Sequence, residues 1–230
     1  MCLILTIAPF LVLRCSIRMV TSRISQAVTE MDCDVRELDR TSLYKLLTGS
    51  VLPRPIAWLS TQDLLGVANL APFSFFTVAG LNPPMLAVTI LKKPDGSDKD
   101  SLANIRATGE FVVNIVTQGL VEEMNQSCAA YPAEVDEFDL AGLEKVRSKQ
   151  VKAPGVARSP VRYECVLHSC LDLGHGVGGS TLVLGEIRHV HATDTVYQEG
   201  RVDVLALHPI GKLAGDAYTL VHEDFSLERP

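Results

Sequence analysis

Short apolar runs separated by Gly, Pro and Asn dominate the chain from residue 51 to residue 91. Pro55-Ile-Ala-Trp-Leu-Ser-Thr61 reads as a strand and residues 62–66 as a turn. Residues 67–70, 73–78 and 85–91 read as further strands, with a break at residues 80–84. Ahead of this meander, residues 41–47 read as a short helix, with Thr41 or Ser42 as its cap and Gly49 as its stop. After it, a polar loop at residues 92–99 leads into a helix that begins near Ser97 or Asp98, carries Leu102, Ile105 and Arg106, and stops at Gly109. Residues 110–116 are a buried-strand candidate, and residues 119–130 a second helix. Residues 131–156 are mostly polar with little periodicity, and a stretch of that length tends to be functional or subunit-contacting. Strand character returns at residues 161–171 and 180–192, the latter alternating with Leu182, Leu184, Glu186, Arg188 and Val190 on one parity, and then at 202–207 and 209–213. Many short strands with a few helices predict a mainly β protein, closed or half-closed as a barrel, rather than a doubly wound sheet.

Composition narrows the function more than the fold. With 230 residues, 47% of them hydrophobic, the chain has material for one large core. A net charge of −6 argues against a nucleic-acid binder, though a local pocket on an acidic protein can still be positive. None of the six cysteines pairs as C-x-x-C, and a disulfide framework is out of keeping with a core this large, so reduced and mostly buried thiols are expected. The apolar run at residues 3–13 is too short to span a bilayer, and Arg14 and Arg18 follow it where a secretory signal would have positive charge ahead. Residues 1–33 are therefore read as an extension or an over-extended start, with Met19 or Met31 as the working initiator. The body then covers residues 34–220, and 221–230 form a tail. A cytoplasmic protein without membrane attachment is the expectation.

Several motifs tempt. Gly174-His175-Gly176-Val177-Gly178-Gly179 matches G-x-G-x-x-G, but the residues after it are strand-like, whereas a dinucleotide fold needs a helix there. A flexible hairpin loop is the plain reading. His189 and His191 could supply two metal ligands but have no third at plausible spacing, and His168 has odd offset from Cys165 on a strand, so no metal site is expected. There is no G-x-S-x-G, H-E-x-x-H or Walker loop. A protein whose cofactor carries the chemistry needs none of these.

The pieces Val51-Leu-Pro-Arg-Pro-Ile-Ala-Trp-Leu-Ser-Thr61, Gly66-Val-Ala-Asn-Leu-Ala-Pro-Phe-Ser-Phe-Phe76, Asn82-Pro-Pro84, Lys99-Asp-Ser-Leu-Ala-Asn-Ile105 and Gly109-Glu-Phe-Val-Val-Asn114 follow in this order. Together they resemble the flavin reductase-like, FMN-binding split-barrel family over roughly residues 38 to 218. The resemblance implies a Greek-key split β-barrel, a homodimer with flavin near the subunit interface, and FMN (or FAD) as cofactor.

It also implies roles for particular residues. The helix N-terminus at residues 97–101 would hold the flavin phosphate, with Lys99 as cation, Asp100 in the first turn and Ser101 as hydroxyl donor. Asn69, Ala71, Pro72, Phe73 and Ser74 would form an irregular loop whose backbone donors face the ring where reduction places charge. Ser60 and Thr61 would reach the ring or ribityl hydroxyls, and Arg54 would add a cation near the phosphate or the interface. Trp58, Phe73, Phe75 and Phe76 read as core before stacking partners. In Leu207-His-Pro-Ile-Gly-Lys-Leu-Ala-Gly215 the family more often has Arg, Arg and Gly where this chain has His208, Lys212 and Ala214. The implied activity is an NAD(P)H-dependent flavin reductase, possible supplier of a partner monooxygenase, with residues 174–179 flanking the open ring face. An FMN-binding electron carrier without NAD(P)H turnover is the alternative, and a barrel for another flat anionic cofactor such as haem or pyridoxal phosphate a third.

Overall fold

The computed structural model describes residues 31–229. The apolar run at 3–13, Cys2, Cys15 and Met19 lie outside the described residues. The chain divides into a unit ending at Leu38 and a second unit, Asp39–Pro230. In the first, Val35–Glu37 makes one 3-10 turn capped by Asp34.

The second unit opens with α1 (Arg40–Ser50), then β1 (Arg54–Pro55), β2 (Ala57–Gln62), β3 (Ala68–Phe73), β4 (Phe76–Leu81) and β5 (Pro84–Leu91). Helix α2 (Asp100–Thr108) and β6 (Glu110–Ile115) follow, then a 3-10 turn at Gln118–Leu120, α3 (Val121–Gln126), α4 (Glu137–Leu140), β7 (Lys145–Val146) and β8 (Gly155–Val156). The long strands β9 (Val161–Leu173) and β10 (Ser180–Ala192) form a hairpin. The chain ends with β11 (Tyr197–Gln198), β12 (Arg201–Val202), α5 (Val204–Leu207), β13 (Ile210–Lys212) and β14 (Tyr218–Leu220).

Seven strands make one antiparallel sheet in the order β3-β2-β6-β9-β10-β5-β4. Its edge strands β3 and β4 are consecutive in the chain, and at their join Thr89 N–H donates to the Phe75 carbonyl. The sheet therefore curls until its two edges meet at residues 74–75, which gives the split barrel that the short-strand pattern predicts. A smaller sheet, β1-β13-β14, lies beside it.

Central strand β2 has both faces buried, which is why A-W-L-S-T reads as a run and not an alternation. Ala57 and Leu59 face the barrel interior, with Val88, Ile90, Phe111, Val113 and Val183. Ile56 and Trp58 face a second core built with Leu70, Met124 and Phe138, where the Trp58 indole N–H reaches Ser127 Oγ at 2.9 Å. Helix α2 covers the barrel mouth by sinking Leu102 and Ile105, both fully buried, into the interior.

At Gly185 in β10 a side chain would enter the van der Waals shell of the Phe111 ring. Phe111 is buried and has no room to retreat. Gly185→Ala is expected to cost about 1–2 kcal/mol by overpacking, read as a lowered urea midpoint with unchanged slope. An unchanged midpoint would show that the ring moves freely.

Several expected boundaries shift, each for a visible reason. Asp39, not Thr41 or Ser42, caps α1, because its carboxylate accepts from both of those backbone N–H groups. Helix α1 runs through Gly49 to Ser50, its Thr48 carbonyl taken by Arg54. Helix α2 starts at Asp100 because Ser97 is held in the preceding loop: its N–H and hydroxyl donate to Asp95, and its carbonyl accepts from Lys93 N–H. The helix expected at 119–130 is α3 alone after a 3-10 turn, and residues 204–207 are helical, not strand, with Asp203 as cap. Among the described cysteines only Cys165 is buried, its thiol pushed up to about 12 by burial. Cys33 and Cys128 are exposed and Cys170 half-buried, all four free.

Candidate functional site

Helix α2 begins without a side-chain cap. The backbone N–H groups of Asp100, Ser101 and Leu102 find no acceptor among the described residues. The first turn is thus a set of three donors at the positive end of a helix, suited to an anion.

The charges around it are sorted. Lys92 pairs with Asp98, Lys93 with Asp100 at 2.8 Å, and Arg106 with Asp98 and Asp172. Lys99 makes no ion pair among the described residues, and its ammonium lies 5.7 Å from the centre of the Phe73 ring. It is the cation left for a ligand. Asp100 is neutralised by Lys93, so its carboxylate does not oppose an anion at full strength.

Beside Phe73, at the split between the sheet edges, a cavity of about 90 Å³ is walled by Pro72, Ser74, Met124, Cys128, Lys212 and Tyr218. The last three, without Met124, also border a larger groove of about 560 Å³. Lys212 reaches the Gly215 and Ala217 carbonyls and lies 4.3 Å from the centre of the Tyr218 ring. Burial lowers the Lys212 pKa, and burial raises that of the Cys128 thiol, with Lys99 and Lys212 opposing the rise. The site is a slot with Lys212 on its lining and Lys99 near its Phe73 wall, which suits a flat ring with an anionic tail.

The expected site residues divide into three groups. Pro72, Phe73 and Ser74 line this slot, with Lys99 near the Phe73 ring and Ala71 half-buried just before Pro72. Asn69, Thr61 and Ser101 form one buried network below the first turn of α2: Ser101 Oγ donates to Asn69 Oδ1 at 2.7 Å, Thr61 Oγ1 to the same oxygen at 3.3 Å. Ser60 and Arg54 are engaged elsewhere. Ser60 is fully buried on the opposite face of β2, donating to the Pro154 carbonyl at 2.5 Å. Arg54 is buried and grips the carbonyls of Thr48 (2.6 Å), Val51 (2.8 Å) and Leu213 (3.0 Å), leaving only a 3.4 Å contact to Ser74 Oγ on the slot side.

The segment 69–74 differs from the irregular loop expected of it. Asn69 to Phe73 are regular strand in β3, paired with β2. Pro72 is tolerated because β3 is an edge strand: two residues earlier Leu70 N–H points away from β2, to Glu137, so the missing proline N–H falls on the free side. Only residues 74–75 are irregular.

Glu137 is the residue that sequence reasoning did not single out. It lies in the polar stretch 131–156, buried against β3, and accepts from Leu70 N–H at 2.9 Å and from Asn69 Nδ2 at 2.8 Å. Burial raises its pKa, opposed by those same donors. Only the length of the polar stretch hinted at it.

The glycine-rich residues 174–179 form the β9–β10 hairpin loop. They lie against the loop that precedes α2, where a side chain at Gly96 would crowd the Gly176 backbone. A cavity of about 450 Å³ beside the β2–β3 turn lies at the C-terminal end of α2, the carbonyl end, and suits no anion. Among the described residues no three His, Cys, Asp or Glu side chains converge as a metal site, and no helix is long and apolar enough to cross a membrane.

The chain belongs to the Flavin reductase like domain family, whose model matches residues 48–207. Its split barrel is that family's architecture. An uncharacterized protein of Halalkalibacterium halodurans is 41% identical over 196 residues, covering 84% of this chain and 93% of its own. Nitrilotriacetate monooxygenase component B from Bacillus cereus superposes with a TM-score of 0.83 at 34% identity, over 86% of this chain and 98% of that one. The 2-nitrobenzoate 2-nitroreductase of Pseudomonas fluorescens superposes with a TM-score of 0.78 at 29% identity, over 87% and 96%. The family and its solved members support flavin oxidoreductase chemistry.

Proposed function

We propose that this chain is an FMN-binding, NAD(P)H-dependent flavin reductase that passes reduced flavin to a partner monooxygenase. The observation that carries the reading is Lys99 without an ion pair beside three unaccepted N–H groups at the start of α2, next to the slot at Pro72, Phe73 and Ser74. When bound, the flavin supplies the hydride-accepting ring; the chain supplies placement. In this reading Lys99 and the first turn of α2 anchor the phosphate, Ser101 adds a hydroxyl, and Asn69 and Thr61 hold that hydroxyl in place. Pro72, Phe73 and Ser74 border the ring, and the adjoining groove at Cys128, Lys212 and Tyr218 receives the nicotinamide. Arg54 supports the slot from behind, and Ser60 stays on the opposite face of β2, away from it. The structural match to a monooxygenase component B supports the partner, and a cytoplasmic location is part of the same proposal, in keeping with a nicotinamide reductant.

A homodimer is part of the same proposal. Leu171, Leu173, Leu182 and Leu184 share the outer face of the β9–β10 ladder, with Leu171 58% and Leu173 46% exposed. A second copy would cover such a patch, and sedimentation equilibrium reads the mass directly.

Turnover decides the activity. With purified protein, excess FMN and NADH or NADPH, continuous loss of nicotinamide absorbance is the expected result. A single stoichiometric reduction would make the chain an electron carrier instead. A colourless protein that gains no thermal stability from FMN would remove the flavin altogether.

A further inference from the structure

We propose that Glu137 is a positioning residue of the phosphate site: it takes up a proton as the phosphate binds, turns the Asn69 amide over, and so frees the Ser101 hydroxyl to donate to the phosphate. The proposal rests on the phosphate lying at the start of α2, and it names a regulation of that site.

The present arrangement is set against an anion. A carboxylate only accepts hydrogen bonds, so with both Glu137 oxygens facing β3 the Asn69 amide must turn its Nδ2 toward Glu137. That leaves Asn69 Oδ1 facing Ser101 and Thr61, and both hydroxyls spend their protons on it. The Thr61 oxygen in turn accepts from Asn104 Nδ2 at 3.1 Å. Ser101 is nearly fully buried in the first turn, and it has one proton to give. With that proton committed to Asn69, it offers lone pairs to whatever approaches the N–H groups above it. A phosphate would be met by three backbone donors, Lys99 and one misdirected hydroxyl.

Protonating Glu137 reverses the chain of bonds with every buried polar atom keeping a partner, the Thr61 proton alone giving up its acceptor. One Glu137 oxygen continues to accept from Leu70 N–H, and the other becomes a donor to Asn69 Oδ1. The turned amide then points its two Nδ2 hydrogens toward Ser101 and Thr61, whose oxygens accept. The Ser101 proton is released toward the helix N-terminus, where the phosphate oxygens lie.

The surroundings favour this direction. Burial already holds the Glu137 carboxyl above the usual carboxylate range, against the donors Leu70 N–H and Asn69. From its own helix Asp136 faces it and pushes the same way. From β7, Lys145 is engaged by Asp136 and Asp139. From β3 and α2 the neighbours are Asn69, Leu70, Ser101 and Asn104, none of them charged at the side chain. A phosphate dianion arriving at α2 adds negative charge close by and raises the Glu137 pKa further. Because the folded pKa lies above the unfolded one, the Glu137 contribution to stability of the unliganded protein is fully present at low pH and fades as pH rises through the folded pKa.

Glu137→Gln copies the protonated state, since its carbonyl accepts from Leu70 N–H while its amide donates to Asn69 Oδ1. The test is calorimetric titration of the full chain and of this variant with FMN and with riboflavin, near neutral pH in buffers of different ionisation enthalpy. The wild type is expected to take up more protons with FMN than Glu137→Gln does, by up to about one, and to show no such excess with riboflavin. Proton exchange by the FMN phosphate itself is common to both proteins and cancels. Towards higher pH the wild type should lose up to about tenfold more FMN affinity per pH unit than the variant. Ser101→Ala, with Glu137 intact, should cut the excess uptake to the smaller part that the phosphate charge alone induces, because the relay then has no hydroxyl to release; an excess unchanged by this substitution would overturn the relay. Equal proton counts in wild type and Glu137→Gln, with FMN still preferred to riboflavin, would overturn the role of Glu137 alone. No preference for FMN over riboflavin would overturn the phosphate site and this role with it.

Discussion

Lys99→Ala is expected to weaken FMN binding roughly ten- to hundredfold, about 1.5–3 kcal/mol for a lost charge-assisted contact, and to leave riboflavin binding nearly unchanged. The asymmetry is the substance of the prediction. Around the start of α2, Lys92, Lys93 and Arg106 are already committed to Asp98, Asp100 and Asp172, so none can replace Lys99 without breaking an existing pair. The backbone N–H groups of the first turn remain in the variant, so binding falls but does not vanish. Lys99 also packs near Phe73, and loss of that packing would affect both ligands alike. Lys99→Met separates the two effects, because it keeps the stem and removes the charge. Fluorescence titration of both flavins against both variants reads the difference. Equal losses for FMN and riboflavin would put the phosphate elsewhere.

Arg54→Ala is expected to cost about 3 kcal/mol or more of folding stability. Arg54 is 7% exposed and serves three carbonyls from two segments, Thr48 and Val51 at the end of α1 and the distant Leu213 just after β13. Removing it leaves these acceptors without their donor and unties α1 from the small sheet. The three bonds share one side chain, so their energies do not add in full. Arg54→Lys should recover little, because a single ammonium cannot span the planar fork that reaches all three. Thermal unfolding of both variants, with and without FMN, tests this. Loss of FMN affinity at unchanged melting temperature would mean that Arg54 acts on the ligand directly and that its buried bonds matter little.

These two basic residues show where reading the sequence stops. Lys99 could be proposed for an anion because the helix start is a local feature: Asp95, Ser97, Asp98 and Gly109 mark the segment, and the donors of a helix N-terminus follow from backbone geometry. Arg54 could not, because no side chain near Pro53 and Pro55 marks it as a partner: Thr48 and Val51 receive it only through their backbone carbonyls, and Leu213, 159 positions on, is brought to it by the fold alone. Ser60 and Thr61 make the same point within one dipeptide. Adjacent residues of a strand face opposite ways, so Thr61 joins the network at α2 and Ser60 is turned to Pro154.

What the chain alone determined is what period and local chemistry carry: short strands, a barrel and not a doubly wound sheet, the span of β10, the stop of α2 at Gly109 and the flavin reductase-like family motifs. The tertiary structure alone decided the rest. It set which sheet edge β3 occupies, and hence why Pro72 is harmless in a strand. It also set which thiols are buried, and that Glu137, nearly seventy positions away in sequence, closes onto Asn69 and Leu70. The physical reason is common to all three. Periodicity records which side of an element faces a core, but the identity of the partner on that side depends on how the sheet curls and where its edges meet.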